Sequence, residues 1–197
     1  DFDGRNKHRL SDLPACETLW VERAGALVAL QLPRKEGEDY RLLRLDPLPG
    51  NPIAEWTPVP LGATAGLRAL HFIPRGSEVL DGRFVAVTGI DSTGVRHLDL
   101  VDVAADTARR LTHAPGHVRY PVFDGVRREV IFSREREGPA WDLWALPLDE
   151  PDAPPVRLTT SPSEDTRASV HGDRILFSRG WGEGPTAPHL RGPARGA

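Results

Sequence analysis

Three stretches of this chain, Val85-Ala86-Val87-Thr88, Val130-Ile131-Phe132-Ser133 and Ile175-Leu176-Phe177-Ser178, follow one another at intervals of 45 residues. Each consists of three apolar residues that end in a small hydroxyl residue, and each follows a polar turn that contains glycine. Continuous apolar runs of this length are typical of strands that are buried on both faces, as in stacked sheets. A buried helix is the alternative, but the short runs and flanking glycines favour strands.

A second pattern recurs with a similar period. A large residue followed by a hydroxyl residue occurs at Leu10-Ser11, Trp56-Thr57, Leu111-Thr112 and Leu158-Thr159, at intervals of 46, 55 and 47 residues. Repeats of about 40 to 45 residues are typical of β-propellers, in which each repeat is a four-stranded antiparallel blade. We therefore predict an all-β fold, a β-propeller with about three and a half to four blades in this chain.

The repeats divide the chain into consecutive units. We place one or more outer strands of a preceding or ring-closing blade at residues 1–14, blade 1 at 15–60, blade 2 at 61–113, blade 3 at 114–160, part of blade 4 at 161–180 and a disordered tail at 181–197. The strands of blade 1 are expected at 19–21, 26–32, 40–45 and 54–59, and an extra loop is expected near 74–80. The tail is assigned because glycine, proline and alanine dominate it.

Two arrangements of these units remain open. The chain begins at Asp1 and contains no methionine, so either a leader has been removed or the chain is a portion of a longer protein. The first residues start within a repeat, so we expect a portion of a protein with a larger ring. Alternatively, residues 9–11 complete the last blade of a closed four-bladed ring, as in the smallest propellers of about four blades. Closure needs a third strand from residues 180–191, where the β propensity is low, so we favour the open arrangement.

The composition excludes some classes of partner. The net charge is −3 and the arginines are scattered, so no basic field is present to hold nucleic acid or an anionic membrane. No apolar run approaches the roughly 18 residues that a membrane span requires. Cys16 is the sole cysteine, which excludes an internal disulfide. The propeller repeat, together with the absence of a convincing catalytic constellation, favours a protein partner.

Candidate chemical sites are weak, and we expect no catalytic residue, metal or cofactor. His113 and His117 have a spacing that suits a metal on a helix, but Pro115-Gly116 makes their segment a turn. Residues 62–66 have the outline of a nucleophile elbow, but no helix follows, so a linker explains them better. Residues 180–184 lack the helix that a phosphate cradle needs. The acidic residues at 149–152 and 164–165 are expected to be solvated.

Trp141 and Trp144 are the candidate contacts for a partner. They lie three residues apart on a predicted strand, so their side chains point to opposite faces. One is expected to pack between blades, and the other is expected to be exposed to a protein partner or a sugar.

Four segments together resemble the TolB-like (WD-like) β-propeller repeat: Arg110-Leu111-Thr112, Pro121-Val122-Phe123-Asp124-Gly125, Val130-Ile131-Phe132-Ser133-Arg134 and Asp142-Leu143-Trp144. The family repeat reads approximately Arg-Leu-Thr, a spacer, Pro-x-Trp-Ser-Pro-Asp-Gly, a buried Ile-x-Phe-x-Ser strand, and Asp-Ile-Tyr. The resemblance covers residues 67–179 well and 10–59 weakly. It implies that Leu111, Thr112, Leu158 and Thr159 belong to the outer repeat strands.

The resemblance also implies roles. Asp81, Gly82, Asp124 and Gly125 are carried over as structural turn residues, whose carboxylates bond local backbone and whose glycines tolerate positive φ. The implied function is a non-catalytic interaction module of an exported, periplasmic or secreted bacterial protein. The alternative is the substrate-gating propeller of a prolyl-oligopeptidase-like serine peptidase. A propeller carbohydrate enzyme would need a histidine or acidic cluster, which these residues do not suggest.

Overall fold

The computed structural model describes residues 15–21, 26–31, 33, 35, 38–47, 56–71, 79–113, 115–136, 140–150, 153–180 and 187–191. These residues form sixteen β-strands and one turn of 3-10 helix at Gly62–Thr64, so the predicted all-β fold is confirmed. In the same part of the chain, no helix combines the length and hydropathy of a membrane span.

The strands form four antiparallel sheets that follow one another along the chain. Sheet 1 contains β1 (Ala15–Val21), β2 (Ala26–Gln31), β3 (Arg41–Pro47) and β4 (Trp56–Pro60). Sheet 2 contains β5 (Arg68–His71), the short β6 (Val79–Leu80), β7 (Phe84–Ile90), β8 (Arg96–Asp102) and β9 (Thr107–Arg110). Sheet 3 contains β10 (Val118–Asp124), β11 (Glu129–Glu135), β12 (Trp141–Pro147) and β13 (Val156–Arg157). Sheet 4 contains β14 (Glu164–His171), β15 (Arg174–Gly180) and β16 (Ala187–Arg191).

The repeated apolar triplets lie on the second long strand of each sheet, and their side chains alternate between the two neighbouring sheets. Val85 and Val87 pack towards sheet 1, whereas Ala86 packs towards sheet 3. In sheet 3, Phe132 faces sheet 2 and Ile131 faces sheet 4. The core is therefore a series of apolar layers, one between each pair of successive sheets, and a further small cluster of Ala29, Leu43 and Leu45 lies on the opposite face of sheet 1.

Sheet 1 carries the same triplet at Leu27-Val28-Ala29, where the sequence shows no hydroxyl residue. Leu30 lies at the position that Thr88 and Ser133 hold in sheets 2 and 3, since each pairs with the leucine of the next strand that also binds the outer strand, namely Leu42, Leu98 and Leu143. Leu30 is buried like its counterparts. The substitution of leucine for the hydroxyl residue hides this repeat from the sequence pattern.

The outer strand of sheet 1 also differs from the sequence alignment. Leu61, not Trp56, holds the position of Leu111 and Leu158, because its N–H donates to the carbonyl of Leu42 at 3.1 Å. The Trp56-Thr57 pair lies instead at the beginning of β4. The expected strand at residues 1–14, and with it the question of ring closure, lies outside the described residues.

The C-terminal segment contains a strand that the sequence did not suggest. β16 pairs with β15 from Arg179 opposite Ala187 to Ile175 opposite Arg191. The expectation of a disordered tail is therefore wrong for residues 187–191. Proline and alanine have low β propensity, but an unpaired edge of β15 offers a ladder of backbone hydrogen bonds that outweighs it.

Arginines connect successive sheets through backbone carbonyls. Arg44 of sheet 1 donates to the carbonyl of Val103, and Arg109 of sheet 2 donates to that of Leu148, at 3.4 and 3.3 Å. Val103 and Leu148 are equivalent, since each directly follows the strand that pairs with the outer strand of its sheet, β8 or β12. Each also donates its own N–H to a carbonyl in the turn before the triplet strand, that of Arg83 or Arg128. The same contact thus joins sheet 1 to sheet 2 and sheet 2 to sheet 3.

Candidate functional site

The predicted outer-strand residues bind the backbone of the adjacent strand. In sheet 2, the N–H of Leu111 donates to the carbonyl of Leu98 at 2.8 Å, and Thr112 Oγ1 accepts the N–H of Leu98 at 3.0 Å. In sheet 3, the Leu158-Thr159 pair makes the same two bonds to Leu143, at 2.7 and 3.0 Å. Each Leu-Thr pair therefore satisfies both backbone groups of one buried residue where the outer strand has ended.

Asp124 and Gly125 form the turn between β10 and β11. The Asp124 side chain is fully buried and accepts the N–H groups of Val126 and Arg127 at 3.1 and 2.9 Å. Gly125 does not adopt the expected positive φ; the left-handed residue of this turn is Arg128, at φ 53°. A carboxylate that accepts two local N–H groups fixes the turn without help from the glycine.

The turn at Asp81 and Gly82 is built differently. Both residues are left-handed, with φ of 55° and 62°. The Asp81 carboxylate does not bond its own turn as expected but accepts Arg128 of sheet 3 at 3.1 Å. Asp81 therefore holds two sheets together rather than one turn.

Neither predicted partner-contact tryptophan presents a free ring to solvent. Trp141 is buried, and the Arg119 guanidinium lies over its ring at 4.5 Å from the centroid. Trp144 is half-buried against the apolar layer between sheets 2 and 3, under Arg134 at 5.1 Å. The two rings do face opposite ways, but arginines cover both.

The histidine pair is split by its turn. His113 is exposed, whereas Nδ1 of His117 accepts the N–H of Arg96 at 3.2 Å. Gly116, at φ 102°, makes the turn, and a Cβ there would lie 3.1 Å from the carbonyl oxygen of Glu135. Across the described ranges, no group of three or more histidine, cysteine or acidic side chains is arranged to hold a metal ion.

The other weak candidates hold the fold. Thr64, in the predicted linker, is buried and donates its hydroxyl to the carbonyl of Leu61. Asp149 pairs with Arg128 at 2.7 Å. Asp165, expected to be solvated, is instead fully buried and accepts Arg179 at 2.6 and 2.9 Å. Residues 181–184 lie outside the described part of the chain.

A charged cluster links the β7–β8 turn to β9. Asp91 Oδ2 lies 2.9 Å from His97 Nε2 and 2.8 Å from Arg110 Nη1. Its Oδ1 accepts the N–H and hydroxyl of Thr93, and these bonds hold the pKa of Asp91 well below its usual value. Burial raises the pKa of Asp99, whose Oδ2 has no hydrogen-bond partner. The carboxylates are therefore structural partners of Arg110 and the turn.

A β-bulge interrupts the first strand of every sheet. The register shifts in β1, β5, β10 and β14, and in the last three a non-glycine residue in the bulge is left-handed: Ala69, Tyr120 and Arg167, with φ of 46°, 54° and 53°. Such bulges redirect side chains and are common next to binding sites. Left-handed non-glycine residues are strained, and their recurrence at one level of the fold marks this region as the candidate site.

The bulges bring together side chains from different sheets. Arg167 of sheet 4 lies over the ring of Tyr120 of sheet 3, at 5.1 Å from the centroid. Arg96 of sheet 2 donates to the carbonyl of Ala69 at 2.7 Å. Asp39, in the loop before β3 of sheet 1, accepts the N–H of Ala69 at 2.6 Å. We call Asp39, Arg96, Arg119, Tyr120 and Arg167 the inner-strand cluster.

The inner-strand cluster is positively charged. The pKa of the half-buried Arg96 lies below its ordinary value, first because of burial and then because Arg119 lies nearby. Asp39 is the single carboxylate of the cluster, and its Oδ1 is already bound by the N–H groups of Tyr40 and Ala69. Arg119 and Arg167 are exposed, and neither forms an ion pair with any described carboxylate.

Sequence reasoning missed the inner-strand cluster. Tyr120 and Arg167 carry no sign of a left-handed backbone, since glycine or asparagine is the usual mark of that conformation. Tyr120 and Arg167 are equivalent because both lie at the register shift in the first strand of their sheets, although their residue types differ. The one available signal is that Arg119 and Tyr120 adjoin the repeated Pro-Val-Phe-Asp-Gly segment.

Comparison with known proteins identifies the fold. No protein family model and no curated protein matches the chain. Solved structures do match: a protein assigned as TolB from Agrobacterium tumefaciens has a TM-score of 0.70 and 17% identity over 94% of this chain and 65% of that chain. TolB from Acinetobacter baumannii has a TM-score of 0.61 and 19% identity, covering 95% of this chain and 43% of that chain.

A third structure belongs to an enzyme. A puromycin-hydrolyzing peptidase from Mycobacterium tuberculosis has a TM-score of 0.65 and 15% identity over 95% of this chain and 28% of that chain. The chain spans less than two thirds of the length of each of these proteins. Identities this low show a common fold and not a common task. The successive antiparallel sheets of three to five strands and these matches establish that the chain has a TolB-like β-propeller fold.

Proposed function

We propose that this chain is a non-catalytic β-propeller interaction module that binds a protein partner. The observation that carries the proposal is the inner-strand cluster, where side chains from sheets 2, 3 and 4 and from the loop before β3 lie close together. Two exposed arginines of this cluster, Arg119 and Arg167, have no carboxylate partner among the described residues. Most other charged groups of the described residues hold turns or neighbouring sheets. Exposed arginine and aromatic side chains are the residue types enriched at protein interfaces.

The similarity to TolB structures supports the setting of this function. The sequence resemblance implies an exported bacterial protein that docks envelope partners, and two of the matching structures are TolB-type proteins. We therefore propose that the protein acts in the periplasm or outside the cell. Fractionation of cells that express the tagged full-length protein tests this: recovery in the periplasmic or secreted fraction is expected, and recovery with cytoplasmic markers contradicts it.

The interaction is tested by capture from an envelope extract. The tagged chain is immobilised, and the extract is applied with and without an excess of the untagged folded chain. A specific partner is retained in the first case and lost in the second. Absence of any protein that the untagged chain displaces contradicts the proposed function.

The match to the peptidase favours a second candidate function, the substrate-gating propeller of a prolyl-oligopeptidase-like serine peptidase. This candidate requires a hydrolase domain in the same polypeptide. The coding sequence beyond residue 197 discriminates the two: a Gly-x-Ser-x-Gly elbow followed by aspartate and histidine supports the peptidase. A full-length protein that cleaves peptides, and loses this activity when the elbow serine is replaced by alanine, decides for it.

A further inference from the structure

The arginines of the described residues divide into those that the fold uses and those that it does not. Arg83, Arg110, Arg127, Arg128, Arg157 and Arg179 pair with carboxylates. Arg44, Arg96, Arg109, Arg134 and Arg136 donate to backbone carbonyls. The exposed Arg41, Arg68, Arg119 and Arg167 do neither among the described residues, and of these four Arg119 and Arg167 each lie over an aromatic ring.

Stacking on a ring prepares an arginine for an anion. A guanidinium that lies over an aromatic ring keeps the N–H groups along its edge, which are arranged to bind a carboxylate through two hydrogen bonds. The ring also restricts the long side chain, so less conformational entropy is lost when a ligand binds. Trp141 is buried under Arg119, and Tyr120 is half-buried under Arg167, so neighbouring residues restrict both rings.

The bulges determine where these groups point. Tyr120 and Arg167 are the left-handed residues of their bulges, so their side chains depart from the regular alternation of the strand. This departure places Arg167 across the gap between sheets 3 and 4, over the Tyr120 ring. The cost of a left-handed arginine and tyrosine is explained if the redirected side chains bind a ligand.

The surroundings favour an anion. Arg96 adds a third positive charge beside Arg119, and the single carboxylate of the cluster, Asp39, is already engaged by two backbone N–H groups. The chain as a whole is acidic, with a net charge of −3, so the positive charge is local. A local site suits a few carboxylates better than the extended phosphate backbone of a nucleic acid.

We propose that Arg119 and Arg167, supported by Trp141 and Tyr120, bind the carboxylates of an acidic peptide segment. This inference rests on the proposed function, since it identifies the chemistry by which the module recognises its protein partner. The carboxylates belong to glutamate or aspartate side chains or to a free C-terminus, and the probes below separate these sources.

The test uses the full 197-residue chain and fluorescence anisotropy. The probe is a fluorescent peptide of alternating glutamate and serine with blocked termini, and the comparison probe replaces each glutamate by glutamine. We expect the glutamate peptide to bind at low salt and its affinity to fall at high salt. The glutamine peptide should bind with an affinity that is at least about tenfold lower. A third probe, the glutamine peptide with a free C-terminal carboxylate, shows whether a C-terminus suffices.

Variants assign the binding to the two arginines. Arg119→Gln and Arg167→Gln are each expected to weaken the glutamate peptide about tenfold, since each removes charge-assisted hydrogen bonds. Arg167→Lys keeps the charge but loses the planar fork and is expected to be intermediate. Arg174→Gln is the matched control, because Arg174 is 66% exposed at the other end of sheet 4, and it should bind like the wild type. Circular dichroism and thermal unfolding of each variant exclude a loss of fold.

Several outcomes overturn the proposal. A carboxylate site is contradicted if the glutamate and glutamine peptides bind equally well. It is also contradicted if neither the glutamate peptide nor the peptide with a free C-terminal carboxylate binds, or if Arg174→Gln weakens binding as much as Arg167→Gln does. Tighter binding of a single-stranded oligonucleotide that displaces the peptide assigns the site to nucleic acid instead. A captured partner that the glutamate peptide does not displace refutes this site alone, whereas peptide binding without any captured partner refutes the interaction module.

Discussion

At the scale of the residue, the hydroxyl group of each Leu-Thr pair takes the place of a backbone carbonyl that a longer outer strand would supply. The outer strands β9 and β13 are four and two residues long, and each ends directly before its Leu-Thr pair. Without Thr112, the N–H of Leu98 would be buried and unpaired, since the side chain of Leu98 is fully buried. Thr112 and Thr159 recur in the repeat because each accepts a buried backbone N–H that would otherwise have no partner.

Replacement of this hydroxyl is the first prediction. Thr112→Val keeps the shape of the side chain but leaves the Leu98 N–H unsatisfied, so the free energy of unfolding should fall by about 1–3 kcal/mol. Thr112→Ser retains the hydroxyl acceptor, so its free energy of unfolding should fall by less. Thr107→Val, on the exposed β9, is the control and should change little. Urea denaturation measures all three, and a Thr112→Val variant no less stable than Thr107→Val contradicts the assigned bond.

The pH dependence of stability is the second prediction at this scale. The bonds from Thr93 keep the folded-state pKa of Asp91 below its unfolded value. The carboxylate therefore contributes stability above the unfolded pKa, and this contribution is lost as the pH falls towards the folded pKa. Asp91→Asn should reduce the loss of stability below about pH 4, whereas Asp173→Asn, at an exposed position, should not. Urea denaturation at a series of acidic pH values tests this, and equal slopes for Asp91→Asn and wild type count against it.

At the scale of the element, the first strand of each sheet is set apart by its bulge. The other strands keep regular register, whereas β5, β10 and β14 contain a left-handed residue that is not glycine. In β5 this residue is Ala69, whose N–H and carbonyl bind Asp39 and Arg96. The backbone of the bulge is thus a connection between sheets 1 and 2 as well as a bend.

Relief of this backbone strain is the third prediction. Ala69→Gly keeps both backbone bonds and removes the Cβ that disfavours positive φ, so the free energy of unfolding should rise by about 1 kcal/mol. Ala108→Gly, on β9 outside the left-handed region, should instead lower it by about 0.5–1 kcal/mol. Opposite signs for the two variants in urea denaturation are the expected result. A loss of stability in both shows that Ala69 is not strained.

The sequence predicted the repeated buried strands, but it predicted neither β16 nor the bulges. The triplets at Val85, Val130 and Ile175 predicted the buried strands because burial on both faces requires continuous apolar residues. The repeat in sheet 1 was misaligned because Leu30 and Leu61-Gly62 replace the hydroxyl residues on which the alignment depended. The inner-strand cluster was not predicted, since it depends on backbone conformations at Tyr120 and Arg167 that their residue types do not favour.

At the scale of the whole molecule, each sheet offers two faces, and the faces that lie between successive sheets are buried. Ala86 and Ile131, the middle residues of their triplets, pack against the next sheet and are 2% and 0% exposed. Leu176 is the middle residue of the last triplet and is 42% exposed. The far face of sheet 4 is therefore open within the described part of the chain.

A matched pair of substitutions tests this difference. Ile131→Asp places a charge in the layer between sheets 3 and 4, and we expect it to prevent folding, since a buried unpaired carboxylate costs several kcal/mol. Leu176→Asp should change the free energy of unfolding by less than about 1 kcal/mol in the isolated chain. Circular dichroism and urea denaturation measure both. A Leu176→Asp variant that also fails to fold shows that this face is covered in solution.

The arginines that cross from one sheet to the next have a consequence for the history of such chains. Arg44 and Arg109 donate hydrogen bonds to backbone carbonyl oxygens, and every amino acid has such an oxygen. The recipient sheet is free to exchange its side chains at these points without breaking the joint. Related chains can therefore diverge until few residues are identical and still keep the same contacts between successive sheets.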